Sequence, residues 1–374
     1  MGIKNLMKVL SNKTPTAINN IFNNQLVNKK VAIDTSIILY QYVTAIKTMG
    51  GDLTGPSGAS TSHIMGILVK TLQYLKLGII PVYIFDGKPP ELKMKILRDR
   101  SKIKKEALSK LLELKERQEK EKEKEKEQEI KDEDKEINKE KQLEEKKEKI
   151  KLLQKSVSIS GSEMKQAAEI ATLLGVSCIF APEEADSQCA YLSINNIVDY
   201  VASEDMDLLT FGTKRLIKNF SKKGMYEIKL DNILKAGNMD MDNFVDLCIL
   251  LGCDYTDTIE GIGQKKAWDL IKKYGSLDEL IMKNENIQNN KYKLPDNFRY
   301  EESREYFKNP RHISINKDDI KLNVPRLNEL KKLLITTYGF NENNVENMLK
   351  FLRKQYNIYD NNYKSKNEDI FLDD

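Results

Sequence analysis

The sequence predicts an α/β protein in which a mainly parallel central sheet is flanked by helices. Two observations lead there. Short apolar runs of strand length (VAID at 31–34, IIPVYIFD at 79–86, VSCIF at 176–180 and IVDYVASEDMD at 197–207) alternate with helix-period segments such as 60–78 and 162–175. Alternation of that kind marks strands joined by crossover helices, with both faces of the sheet covered. Each run is also followed by carboxylates, and open parallel sheets place their ligands at the carboxyl ends of strands.

Taken in order, Asp34 ends the first run and Asp86 the second. Glu184 and Asp186 follow the third, and Asp205 and Asp207 close the fourth. Any one Asp after a strand also suits an N-cap of the next helix. Four strands ending in the same chemistry are harder to assign to capping. Carboxylates gathered together would repel unless cations lay between them. Asp254, in LGCDY, is a seventh candidate that by itself also fits a turn. Oxygen-only donors suit Mg2+ or Mn2+ rather than zinc, and paired ions of that kind serve phosphoryl transfer.

One stretch interrupts the alternation. From Glu113 to Lys149 there are sixteen acidic and thirteen basic residues, with no Gly, Pro or aromatic. Its helix propensity is high and its apolar stripe nearly absent, which reads as a solvated helix or a disordered insertion. As a continuous helix it would span roughly 50 Å. Without it the remainder is more basic than the whole chain's net charge of +4. Residues 241–281 read as helix, Gly-rich turn, helix and short helix. The last hundred residues read as amphipathic helices ending in a frayed tail over 361–374.

GIGQKKA, at 261–267, lies between two helices and does not follow a strand, which is not the setting of a dinucleotide fingerprint. A tight turn through Gly261 and Gly263, the amides opening the next helix, and Lys265 and Lys266 together fit a DNA phosphate. Other machinery is missing. There is no GxxxxGK[ST] and no GxSxG. His63 fits helix packing and His312 a surface loop. The four cysteines have no CxxC spacing, and two histidines do not complete a zinc site, so reduced thiols in or near the core are expected. No apolar window is long enough for a membrane span, and the N-terminus lacks a signal peptide's apolar stretch. Leu6 stands where a myristoylation site wants Ser or Thr. A soluble intracellular protein is expected.

Five motifs in order carry a resemblance: AIDTS, VYIFDGKPPELK, APEEAD, SEDMDLLTFG and FVDLCILLGCDYTDTIEGIGQKKA. Together they resemble the flap endonucleases, of the structure-specific 5′-nuclease family, over residues 1 to about 280. The resemblance implies a PIN-like nuclease fold with a helical arch and a helix–two-turn–helix DNA-binding element. It divides the chain into a nuclease region (1–100), the arch with its charged insertion (101–160), a second nuclease region (161–280) and a helical C-terminal region (281–374). It implies two Mg2+ ions, replaceable by Mn2+, with Asp34, Asp86, Glu184 and Asp186 around the first and Asp205, Asp207 and Asp254 around the second. Asp186 stands where the family usually has Glu, one methylene longer, so a water between it and the metal is an alternative to direct contact.

Further roles follow from the same resemblance. Lys93 and Arg100, seven residues apart on one helix face, would stabilise the scissile phosphate. Tyr40 would stack on a nucleobase, core packing being its other reading. Gly2 would lie beside the metals once Met1 is removed. Lys47 and Lys70 would grip a 3′ flap. Thr258, Ile259 and Ile262 would supply oxygens to a potassium ion in the helix–two-turn–helix. The implied activity is magnesium-dependent cleavage of branched DNA at 5′ flaps in replication and repair, with possible 5′–3′ exonuclease action, by a monomer, in the nucleus of a eukaryotic cell or otherwise wherever DNA is replicated. A sliding-clamp-binding pattern is absent from the tail, where Phe371 stands alone. Two rivals stay open: a sibling exonuclease or junction resolvase, and a DNA-binding scaffold without catalysis.

Overall fold

The computed structural model describes residues 2–49, 51–127, 134–220 and 224–364, with backbone alone described at 119–127, 134–143 and 357–364. Met1, the middle of the charged segment and the tail with Phe371 lie outside the described residues.

Seven strands form one sheet: β1 (Ile18–Asn20), β2 (Lys30–Asp34), β3 (Ile80–Phe85), β4 (Ser177–Phe180), β5 (Tyr200–Ala202), β6 (Arg215–Lys218) and β7 (Tyr226–Lys229). Their order is β1-β7-β6-β5-β2-β3-β4. β2 to β6 run parallel, while β7 and β1 close one edge antiparallel. The four apolar runs are therefore the parallel centre and its far edge. The fourth strand is shorter than its apolar run, because Ile197 and Val198 belong to the turn before it. After β2 the chain steps outward through β3 and β4, then returns to the other side of β2 for β5. The crevice between the ends of β2 and β5 is the switch point at which such sheets bind ligands.

Side-chain alternation builds two cores, since neighbours along a strand face opposite sides. On β2 and β3, Ala32, Val82 and Ile84 face one layer, and Val31, Ile33, Tyr83 and Phe85 the other. The first layer holds α1 (Leu6–Lys13), α7 (Ala185–Ile194), α8 (Asp207–Thr210), α9 (Leu230–Gly237), α10 (Met241–Leu251), α11 (Gln264–Tyr274), α12 (Leu277–Lys283), α13 (Glu285–Gln288) and α14 (Tyr300–Lys308). The second holds α2 (Thr35–Thr48), α3 (Ser62–Lys76), α6 (Gly161–Leu173), α15 (Leu327–Lys332) and α16 (Glu342–Lys364).

The remaining helices, α4 (Met94–Glu127) and α5 (Asp134–Ser156), leave the sheet together. Ala107, Leu111 and Leu114, spaced i, i+4, i+7, form one face of a small seam closed by Leu152 and Leu153. Arg117 pairs with Glu145 at 3.0 Å farther out, so the helices run antiparallel. No described helix is long and apolar enough to cross a membrane.

Candidate active site

Seven carboxylates meet at the switch point. Asp34 ends β2 and caps α2, accepting the Ile37 amide at 3.4 Å. Asp86 follows β3 and accepts the Ala185 amide at 2.8 Å, capping α7 from another strand. For Asp34 and Asp86 capping and convergence therefore go together, and the cap holds the acid in place. Ser203 ties β5 to β2, donating to Asp34 at 3.2 Å and accepting from the Asp205 amide at 3.0 Å. The Asp207 amide donates to Asp205 at 3.1 Å.

The N-terminal segment threads into the same crevice. The Ile3 amide donates to Asp207 at 2.5 Å and the Lys4 amide to the Gly252 carbonyl at 3.0 Å. Gly2 has φ +80°, and a β-carbon there would collide with the carboxylate oxygens of Asp205 and Asp207. Only glycine fits so close an approach.

Electrostatics report how closely the acids lie. Burial, then Asp86 and Asp205, push the Asp34 carboxyl up to about 8. Burial, then Asp205, Asp34 and Glu184, raise Asp186 far above the ordinary range. Asp207 is raised likewise by burial, then Asp205 and Asp254. All seven acids are thus linked through shared neighbours, with Asp205 between the two implied groups.

Lysine and arginine offset part of this charge. Lys93, in the turn before α4, contacts Glu184 and lies 3.7 Å from Asp254. Arg100, two turns on, pairs with Asp254 at 2.6 Å. Burial works against the Lys93 proton, but Glu184, then Asp186 and Asp254, outweigh it and hold the ammonium above the ordinary lysine range. Among the described residues no three acids form a ready metal-coordination geometry. Their chemistry nevertheless fits a hard divalent cation. Every candidate donor is oxygen, seven acids share the crevice with two cationic side chains, and Asp186 Oδ1 is buried with no hydrogen-bond partner.

Most of the other sequence-derived candidates lie away from the seven acids. Tyr40 is half-buried and donates its hydroxyl to the Gln154 carbonyl at 2.6 Å, tying α2 to α5. Lys47 pairs with Asp52 at 3.7 Å. Lys70 lines a cavity of about 30 Å³ with Asp34, apart from Lys47. In the GIGQKKA turn, Gly261 takes φ +90° and Gly263 opens α11. The Lys265 side chain is exposed and makes no hydrogen bond or ion pair among the described residues. Lys266 has a local partner that Lys265 lacks. Its ammonium donates to the Gly261 carbonyl at 2.9 Å and lies 4.7 Å from the Tyr292 ring centroid, so it staples the turn. The Ile259 and Ile262 side chains are buried, which leaves only their carbonyls, with Thr258, for a cation.

His63 is buried against Gln166 at 2.7 Å, His312 is exposed and stacked on Tyr191, and all four cysteines are free. Sequence reasoning missed Ser203, Tyr255 and Tyr306. The hydroxyls of Tyr255 and Tyr306 both reach Glu184. Tyr255 was signalled by its place beside Asp254; Tyr306 lies 122 residues from its partner and had no signal.

Residues 1–107 match the XPG N-terminal domain and residues 175–254 the XPG I-region. Flap endonuclease 1 of Plasmodium knowlesi (strain H) is 40% identical over 375 residues, covering 95% of this chain and 58% of that protein. The chain thus spans little more than half the length of that relative. Flap endonuclease 1 of Nematostella vectensis is 34% identical over 359 residues, covering 95% of this chain and 88% of that protein. The catalytic core of Rad2 in complex with DNA substrate shares the fold at a TM-score of 0.66 and 23% identity, covering 94% of this chain and 100% of that chain. The acid-bearing strand ends fall inside the two XPG segments, and one relative is matched over most of its length: the chain belongs to the flap endonuclease family.

Proposed function

We propose that this chain is a divalent-metal-dependent, structure-specific endonuclease that hydrolyses phosphodiester bonds at the base of 5′ flaps in DNA, in replication and repair. The single observation that carries this is the gathering of seven carboxylates, on four strand ends and one loop, into a crevice flanked by Lys93 and Arg100. Nucleases of the family depend in general on divalent metal. The finer reading is two Mg2+ ions, which Mn2+ replaces: Asp34, Asp86, Glu184 and Asp186 would hold one, and Asp205, Asp207 and Asp254 the other. Such ions supply a more acidic water and charge stabilisation at the leaving oxygen.

The side chains do the rest. Lys93 and Arg100 leave their carboxylate partners for the scissile phosphate, offsetting charge as the bond breaks. Gly2 lets the backbone lie against Asp205 and Asp207 without a side chain in the way. Tyr40, its hydroxyl anchored on α5, presents its ring to a nucleobase. Lys265 and the first amides of α11 bind a duplex phosphate, with Gly261 and Gly263 shaping the turn. Thr258, Ile259 and Ile262 would hold K+ there, and Lys47 and Lys70 are assigned to the 3′ flap. Residues 1–100 and 161–280 make the nuclease body, 101–160 the arch over the 5′ strand, and 281–374 the C-terminal support. The working form is a monomer, acting where DNA is replicated, which is the nucleus if the cell is eukaryotic.

The test is cleavage across 5′-flap, nicked, gapped and four-way DNA in Mg2+. The 5′ flap with a free end should be cut fastest. A four-way junction cut faster than the flap assigns the chain to its resolving siblings, and no cleavage of any substrate leaves a binding scaffold.

A further inference from the structure

Glu184 is held in a way that its motif does not explain. Its Oε1 is in contact with the Lys93 ammonium. Its Oε2 accepts from two phenols, Tyr255 beside Asp254 and Tyr306 at 3.3 Å from α14. α14 belongs to neither XPG segment, yet it is locked in place. Arg304 grips the buried Asp246 of α10 through two bonds of 2.8 and 2.9 Å and Asp278 through a third of 2.8 Å. Phe307 is buried against Phe211 and Tyr255, with ring centroids 5.0 and 5.1 Å away. Beyond α14 the chain straps α7, the helix that opens with Glu184 and Asp186. The Gln188 side chain exchanges bonds of 2.9 and 2.7 Å with the Ile313 backbone, and Ser187 donates to the Arg311 carbonyl at 3.2 Å.

A carboxylate with one oxygen committed to two hydroxyl donors has only the other to offer a cation, and its orientation is no longer its own choice. We propose that Tyr306 is a positioning residue: with Tyr255 it engages Oε2 of Glu184, so that Oε1, where the cation would compete with the Lys93 ammonium, is the oxygen left to face the crevice. The proposal rests on the divalent-metal reading above. It gives the C-terminal region a part in metal binding as well as support.

Tyr306→Phe isolates the hydroxyl, because the ring keeps its packing on Tyr255 and Phe211, 4.9 and 5.8 Å away. Tyr306→Leu removes the ring as well. The readout is Mn2+ binding to the DNA-free protein, followed by the electron paramagnetic resonance of free Mn2+, beside flap cleavage against metal concentration. Both variants should bind Mn2+ about tenfold more weakly, the usual cost of losing an outer-shell partner. Their cleavage should recover at high metal, and their flap affinity in Ca2+ should match wild type. Wild-type Mn2+ binding in Tyr306→Phe overturns the proposal, as does weakening confined to Tyr306→Leu, which would assign the effect to packing. Failure of the wild-type protein itself to bind Mn2+ would overturn the metal reading beneath it.

Discussion

The acidic crevice and the lysine turn at the start of α11 are both charged and both face DNA in the proposed function, but they are built in opposite ways. In the crevice Asp34, Glu184 and Asp207 are nearly buried, and each charge is felt by several others. At the turn Lys265 stands in solvent and Lys266 is spent on a local carbonyl. Electrostatic interactions strengthen as water is excluded, so changing one crevice charge disturbs a network, whereas an exposed lysine acts almost alone and is screened by salt. Chemistry needs the first arrangement and graded, reversible binding the second.

The largest effect should come from removing the cations that share the crevice. Lys93→Ala with Arg100→Ala is expected to lower single-turnover flap cleavage by at least about a thousandfold, since each acts as an electrostatic stabiliser in a shielded site. Flap affinity measured in Ca2+ should stay near wild type. A loss of affinity as large as the loss of rate would make the pair a binding element like the turn.

Next comes an acid of the crevice itself. Asp207→Asn keeps an oxygen for the Ile3 amide but removes a buried charge. Cleavage should fall roughly 100-fold, while stability in chelator, read by chemical denaturation, should rise by about 1 kcal/mol as repulsion is relieved. Loss of stability would show that this carboxylate is a structural cap with no functional cost.

The proposed arch lies between the two extremes. Replacing residues 119–143 with a short Gly/Ser linker retains the Ala107, Leu111, Leu114 and Leu152 seam and the Lys93–Arg100 base. Measurable flap cleavage is expected, with a smaller loss than Lys93→Ala with Arg100→Ala causes. Complete loss of cleavage with an unchanged melting temperature would move the essential contacts to the distal segment.

The smallest effect belongs to the turn. Lys265→Ala should reduce the slope of log affinity against log salt by about one unit, the signature of a single phosphate contact. Lys266→Ala should leave that slope nearly unchanged and lower the melting temperature, because its ammonium closes the turn. Equal slope changes for both would restore the equivalence that the sequence implied.

Legibility in the sequence followed the same division. The parallel centre of the sheet could be read because its strands are apolar runs ending in acid, and the acids because each strand end repeats the same chemistry. β1, β6 and β7 escaped detection. They are three or four residues long, and two of the three residues of β1 are asparagines, Asn19 and Asn20, too little pattern to show a period. The contact of Lys266 with Gly261 was not legible, because spacing shows that two lysines are adjacent without showing that one folds back. Tyr306 was invisible for a related reason: its partner Glu184 lies in a different segment, and only packing of α14 on α10 and Tyr255 brings them together.

The central claim is that the strand-end carboxylates act by holding divalent cations. The most direct measurement is single-turnover cleavage of a 5′-flap duplex by the wild-type protein, first in chelator, then across a Mg2+ titration and a parallel Ca2+ titration. Cleavage should be absent in chelator and rise to a plateau with Mg2+, while Ca2+, whose coordination is longer and looser, should permit flap binding with little turnover. Full cleavage in chelator would contradict the account.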